Sequence, residues 1–169
     1  MGNIYTLIFR KMNTDFRTVD FKLEIDRALG KFIQNAHYKD DSILSQLEEI
    51  CSDNFSFFLR PDYFEYDVAG IEFLMEFSTD ESYTDADLNQ LKIDSADSWV
   101  EIEKFLHDLN QMIDKIQSIC TYFDHLRIDH DYWRGYFSDG QFIEQLKLLV
   151  ISLKRELDNG YHYFSFNII

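Results

Sequence analysis

At 169 residues the chain has the length of about one domain, and a domain of that size buries roughly 70% of its unfolded surface, enough for a core without disulfide or metal staples. Hydrophobic residues make up 46% and aromatics 17%, against six Gly and one Pro, which excludes a linker-rich or disordered chain. The formal charge of −15 repels nucleic-acid phosphate and anionic membrane and attracts basic partners, so direct DNA, RNA or lipid binding is disfavoured.

The first ten residues, Met1 to Arg10, hold no basic leader, long apolar stretch or small-residue cleavage site, and the expectation is a cytoplasmic protein. Ile4 to Phe9 is an apolar, β-rich run that reads as a strand. Phe21, Ile25, Ala28, Leu29, Phe32 and Ile33 fall at helical spacing, so a first helix is expected to follow it. Asp41 or Ser42 is placed to cap a second short helix carrying Ile43, Leu44, Leu47, Ile50 and Cys51, with Glu48 and Glu49 on its outer side.

From Asn54 the pattern changes to alternation. Phe55, Phe57 and Leu59 alternate with Ser56 and Arg60 before Pro61-Asp62; then Phe64, Tyr66 and Val68 share one face, and Ile71, Phe73, Met75 and Phe77 another, with Ala69-Gly70 between. This reads as a three-stranded β-meander. A two-residue turn sets Val68 against Ile71, Tyr66 against Phe73 and Phe64 against Met75, all apolar pairs.

From Asp97 onward Trp99, Ile102, Leu106, Leu109, Ile113, Ile116, Cys120 and Phe123 recur at steps of three and four, which predicts a helix over about residues 97–124. Phe105, Met112 and Ile119 widen that stripe as a helix lying across a globular core requires, although its seam would also serve a homodimer. An aromatic segment is expected to form a loop, after which Asp139-Gly140 opens a helix over about residues 140–158 with Phe142, Ile143, Leu146, Leu149, Val150, Leu153 and Leu157, stopped by Asn159-Gly160. The β-prone tail from Tyr161 supplies a last strand beside the first. The expected fold is α+β in one acidic domain over residues 1–169: an antiparallel meander at about 54–77 with N- and C-terminal strands, packed on two short helices and two long antiparallel ones.

Catalytic apparatus is not visible. There is no Gly-x-Ser-x-Gly elbow, no glycine-rich loop before a helix and no His-Glu-x-x-His, and with 31 acids a carboxylate pair at glycosidase-like separation carries no information. Cys51 and Cys120, each at an apolar helical position, read as buried thiols. Asp124, His125, Asp129, His130 and Asp131 are ligand-capable, but the histidines are five apart and Leu126 and Ile128 between them read as packing residues, so a polar connector is expected over a metal site. No cofactor, metal or catalytic residue is assigned; a metal-dependent enzyme built on that cluster is the more distant alternative.

The charge distribution points further. From Asp62 through Glu103 there are thirteen acids, among them Glu65, Asp67, Glu72, Glu76, Asp80, Glu81, Asp85, Asp87, Asp94 and Asp97, against the single base Lys92, a net of −12. The rest of the chain holds 18 acids and 15 bases, a net of −3. In the expected hairpin Asp67 faces Glu72, a like-charge pair that costs sheet stability and suggests an external use. These carboxylates, with Tyr63 and Tyr83 as aromatic anchors, are expected to bind a basic protein. A second candidate contact is Tyr132 and Trp133 within Tyr-Trp-Arg-Gly-Tyr-Phe, since Tyr, Trp and Arg dominate interface energy. The expected function is a non-enzymatic inhibitor of the immunity or antitoxin type that masks a nuclease-like toxin, with nucleic-acid mimicry in an anti-defence protein as the alternative.

Overall fold

The computed structural model describes residues 4–10, 21–38, 42–58, 99–128 and 131–168. The expected meander after Phe58, its hairpin register and the segment around Asp62 to Asp97 lie outside the described residues.

The fold is α+β. Four strands, β1 (Tyr5–Arg10), β2 (Phe21–Glu24), β3 (Val100–Glu101) and β4 (Tyr163–Ile168), form an antiparallel sheet in the order β2-β1-β4-β3. The tail therefore lies beside the first strand, pairing Leu7 with Phe166 and Phe9 with Phe164. Because side chains alternate across a strand, Leu7, Phe9, Phe164 and Phe166 share one face and form part of the main core. On the other face Ile8 is fully buried, with Trp99 and Tyr163 packed on it.

Five α-helices are present among the described residues: α1 (Arg27–Tyr38), α2 (Ile43–Cys51), α3 (Ile102–Gln117), α4 (Asp131–Ser138) and α5 (Gln141–Asp158). The stripe expected on α3 is buried as a unit, from Ile102 and Phe105 through Leu109 and Met112 to Ile116, and α3 packs against α5. On α5 the buried residues include Phe142, Leu146, Leu149 and Leu153. Ser42 caps α2, its Oγ accepting the Ser45 N–H at 3.2 Å. The expected stop at Asn159-Gly160 is also present, with Gly160 at φ +94°, in the left-handed region that glycine adopts without penalty.

Several boundaries differ from the sequence reading, each for a physical reason. Residues Phe21–Glu24 form strand β2 instead of the opening turn of a helix, because pairing with β1 satisfies their backbone; α1 begins only after Asp26, whose carboxylate accepts the Ala28 N–H at 2.8 Å. Residues 54–58 are no strand. Asp53 and Asn54 turn the chain with their own side chains, Asn54 Oδ1 accepting the Ser56 N–H at 2.7 Å, and Ser56–Phe58 closes into a 3-10 turn. The helix expected over 97–124 is shorter at both ends: Val100 and Glu101 pair with β4, and past Gln117 the chain turns through Thr121, at φ +56°, into a 3-10 turn at Tyr122–His125. Ile119 and Phe123 keep the apolar rhythm because the turn folds back on the same core. Cys120 is exposed, contrary to expectation, whereas Cys51 is buried. Glu48 is half-buried rather than outward, its carboxylate accepting the Phe55 N–H at 3.1 Å. The aromatic segment expected as a loop is helix α4, which buries Tyr136 and Phe137.

Candidate acidic interface

The acidic segment enters and leaves the described fold through two buried aromatic anchors. Before it stands Phe58, only 1% exposed, with its ring centroid 5.3 Å from Phe105 and 5.9 Å from Phe32. After it stands Trp99, buried against Ile8 one residue ahead of β3. Phe105 lies in the first turn of α3 and β3 runs directly into that helix, so both anchors sit at the N-terminal end of α3. An Ile102 N–H to His162 carbonyl bond of 2.9 Å ties the same corner to the start of β4.

Of the thirteen acids counted from Asp62, Glu101 and Glu103 fall among the described residues, and both are exposed. Glu101 occupies the N-cap position of α3 without accepting a side-chain cap bond, and Glu103 sits in the first turn, where the helix dipole favours negative charge. Glu65, Asp67, Glu72, Glu76, Asp80, Glu81, Tyr83, Asp85, Asp87, Asp94 and Asp97 lie outside the described residues. Beside the Phe58 anchor the body adds a feature the sequence reading missed. A groove of 290 Å³ runs between the turn after α2 and the side of α3, with Asp53 and Asp108 on its walls above Phe57 and Met112. Its two carboxylates are 55 residues apart in sequence, and no local pattern joins them.

Within the aromatic run Tyr136 and Phe137 are buried in the core. Trp133 is half-buried, 5.5 Å from the Tyr136 ring and 6.2 Å from that of Phe137, while the Tyr132 side chain is outside the described set. Among the described exposed side chains of α4, Arg134 pairs with Asp131 at 3.2 Å and donates from Nε to the Ile128 carbonyl at 2.8 Å. Asp124 and His125 are exposed in the 3-10 turn, and Asp129 and His130 are outside the described residues. No group of three or more His, Cys, Asp or Glu side chains placed to hold a metal ion occurs among the described residues.

Among the described residues two groups have displaced proton affinities, and both are packed. Burial pushes the Cys51 thiol up, partly offset by Lys115, which is opposite to the lowered value a nucleophilic cysteine needs. Burial likewise raises the Tyr122 hydroxyl to about 12. Among the described residues no helix is long and apolar enough to cross a membrane. In comparisons with protein-family models, curated proteins and solved structures, nothing matches the chain.

Proposed function

We propose that the protein is a non-enzymatic inhibitor that captures a basic protein through the carboxylates between Asp62 and Glu103, of the immunity or antitoxin type that masks a nuclease-like toxin. The observation that carries this reading is charge segregation: thirteen acids against one base in that stretch, against 18 and 15 elsewhere. Solubility alone calls for interspersed charge of both signs, whereas a single-sign field speeds encounter with a partner of opposite sign. The anchors Phe58 and Trp99 support the same reading, because a segment held at both ends loses less conformational freedom on binding than a free tail. Asp53 and Asp108 extend the acidic surface onto the folded body.

The test is capture from the native host's lysate at low salt, with the wild-type chain and with Glu65→Gln, Asp67→Asn, Glu72→Gln and Glu76→Gln combined. The expected result is a basic protein retained by the wild type and lost by the amide variant, whose catalytic activity the wild type suppresses at equal stoichiometry. Equal recovery by both forms, or none by either, overturns the reading. Salt separates inhibitor from nucleic-acid mimic: shape-dependent capture persists at moderate ionic strength, whereas mimicry of phosphate weakens steeply.

A further inference from the structure

Helix α5 carries a second seam that the core does not use. Its buried residues Phe142, Leu146, Leu149 and Leu153 recur at four, three and four, and the same rhythm shifted by two residues gives Glu144, Leu148, Ile151 and Arg155. At 3.6 residues per turn a shift of two is about 200° round the helix, so the second seam faces away from the core. All four of its residues are exposed, and Leu148 and Ile151, each 59% exposed, are the two most exposed large hydrophobic side chains among the described residues.

From this we infer that the outer face of α5 is a dimer interface for a second copy of the chain, in antiparallel orientation about a twofold axis between Leu148 and Ile151. That axis sets Leu148 of one copy against Ile151 of the other, and Glu144 against Arg155, each contact made twice. A parallel arrangement would set Glu144 against Glu144 and Arg155 against Arg155, so the charges at the two ends of the seam select the antiparallel one. Arg155 is held at its end of the seam because its Nε donates to the buried Glu156 carboxylate at 3.0 Å. Beside the seam lies a groove of 340 Å³ with Leu23, Ile25, Leu29, Leu148 and Leu149 as its apolar walls and Glu24, Asp26 and Arg155 among its polar ones. Leu148 is both seam residue and groove wall, so the Ile151 that faces it from the second copy enters that groove, and the packing is knob into hole rather than flat. The face is remote in sequence from the acidic segment, and the inference stands independently of the inhibitor reading.

One helix pair with one filled groove on each side is a small interface, which sets the expected dissociation constant on the order of 10 to 100 µM. Sedimentation equilibrium on the full chain at physiological salt, across that range, measures it. Ile151→Glu removes the apolar contact with Leu148, puts a carboxylate into each groove beside Glu24 and Asp26, and is expected to raise the constant at least about tenfold, since every substitution acts twice across the axis. Glu144→Arg is expected to raise it severalfold by placing like charges opposite each other, an effect that a parallel pairing would not show. Ile151 is exposed in mid-helix, so its variant is expected to melt with the wild type, whereas Glu144→Arg reverses a charge in the first turn of α5 and is expected to melt slightly lower. A chain that remains monomeric at about 500 µM, or a dimer indifferent to Ile151→Glu, overturns the interface. Indifference to Glu144→Arg alone overturns the antiparallel pairing.

Discussion

The folded body and the stretch from Asp62 to Glu103 use charge in opposite ways. Among the described residues 15 acids accompany 11 bases, and charges pair locally, as in Arg134 with Asp131 and Arg155 with Glu156. In the acidic stretch thirteen acids share one base, a composition that repels itself. The body is held instead by rings: Phe105 alone has the rings of Phe57, Phe58, Phe164 and Phe166 within 5.0 to 6.2 Å. Among the described residues the packing is carried by buried rings and the acids of the stretch, Glu101 and Glu103, are exposed, so substitutions should separate stability from charge in one direction only. Damage to the core is expected to remove both properties, whereas damage to the charge is expected to remove the proposed recognition and leave the fold.

The largest expected effect breaks the comparison at its hinge. Phe105→Ala removes the ring that joins the Phe58 anchor to the sheet and is expected to cost about 3 to 5 kcal/mol in denaturant unfolding, with partner capture lost alongside. A smaller loss is expected at Gly30, in α1. A Cβ there would lie 2.1 Å from Tyr5 Cγ, the stem of a ring whose hydroxyl donates to Gln34 at 2.8 Å. Helix propensity favours alanine by about 1 kcal/mol, but overpacking costs about 1 to 3 kcal/mol and would also shift that hydrogen bond. Because the clash is with the stem of a buried ring and not a flexible end, the cost lies at the upper end of that range, and Gly30→Ala is expected to destabilise by about 2 kcal/mol, the opposite of what an exposed helical glycine would show. The combined amide variant of Glu65, Asp67, Glu72 and Glu76 sharpens the comparison from the other side: its melting temperature should match or slightly exceed that of the wild type while capture is lost.

How much of this was legible in the sequence depended on whether a local pattern had a competitor. The Ser42 cap, the α5 stripe with its glycine stop and the terminal strand beside β1 were all readable, because capping chemistry, periodicity and β propensity agreed there. Phe21 and Ile25 misled, since a four-residue strand is too short to show its alternation against helical spacing further on. At residues 54–58 alternating aromatics outweighed the Asp-Asn turn signal, although the turn decides the backbone. The aromatic run in α4 looked like a loop because Gly135 and a cluster of ring side chains weaken helix propensity, which packing of Tyr136 and Phe137 overrides. Long-range polar ties left no trace: buried Gln46 accepts the Arg127 N–H at 2.6 Å and donates to its carbonyl at 3.3 Å, 81 residues away, and nothing near either residue announces it. The concentration of acids was plain from counting, while the Asp53 and Asp108 groove needed the fold to bring its walls together.

The smallest effect near neutral pH concerns a single charge placed inside the body. Tyr122 is 7% exposed, and its buried hydroxyl has no hydrogen-bond partner among the described residues. Burial disfavours the phenolate and raises its pKa from 10.0 to about 12. The folded state therefore holds this proton more tightly than the unfolded chain, so the associated stability is fully present below pH 10 and is lost as pH rises through about 12. Tyr122→Phe abolishes that titration and removes an unsatisfied polar atom. Near pH 7 the variant is expected to be as stable as the wild type or up to about 1 kcal/mol more so. Between pH 10 and 12 its advantage should widen by roughly 2 kcal/mol, since the remaining tyrosines and lysines titrate equally in both proteins and cancel in the difference. Urea unfolding of the pair at several alkaline pH values measures this directly. A gap that stays constant with pH would mean that the phenolate is solvated in the folded protein and that the core beside α3 admits water.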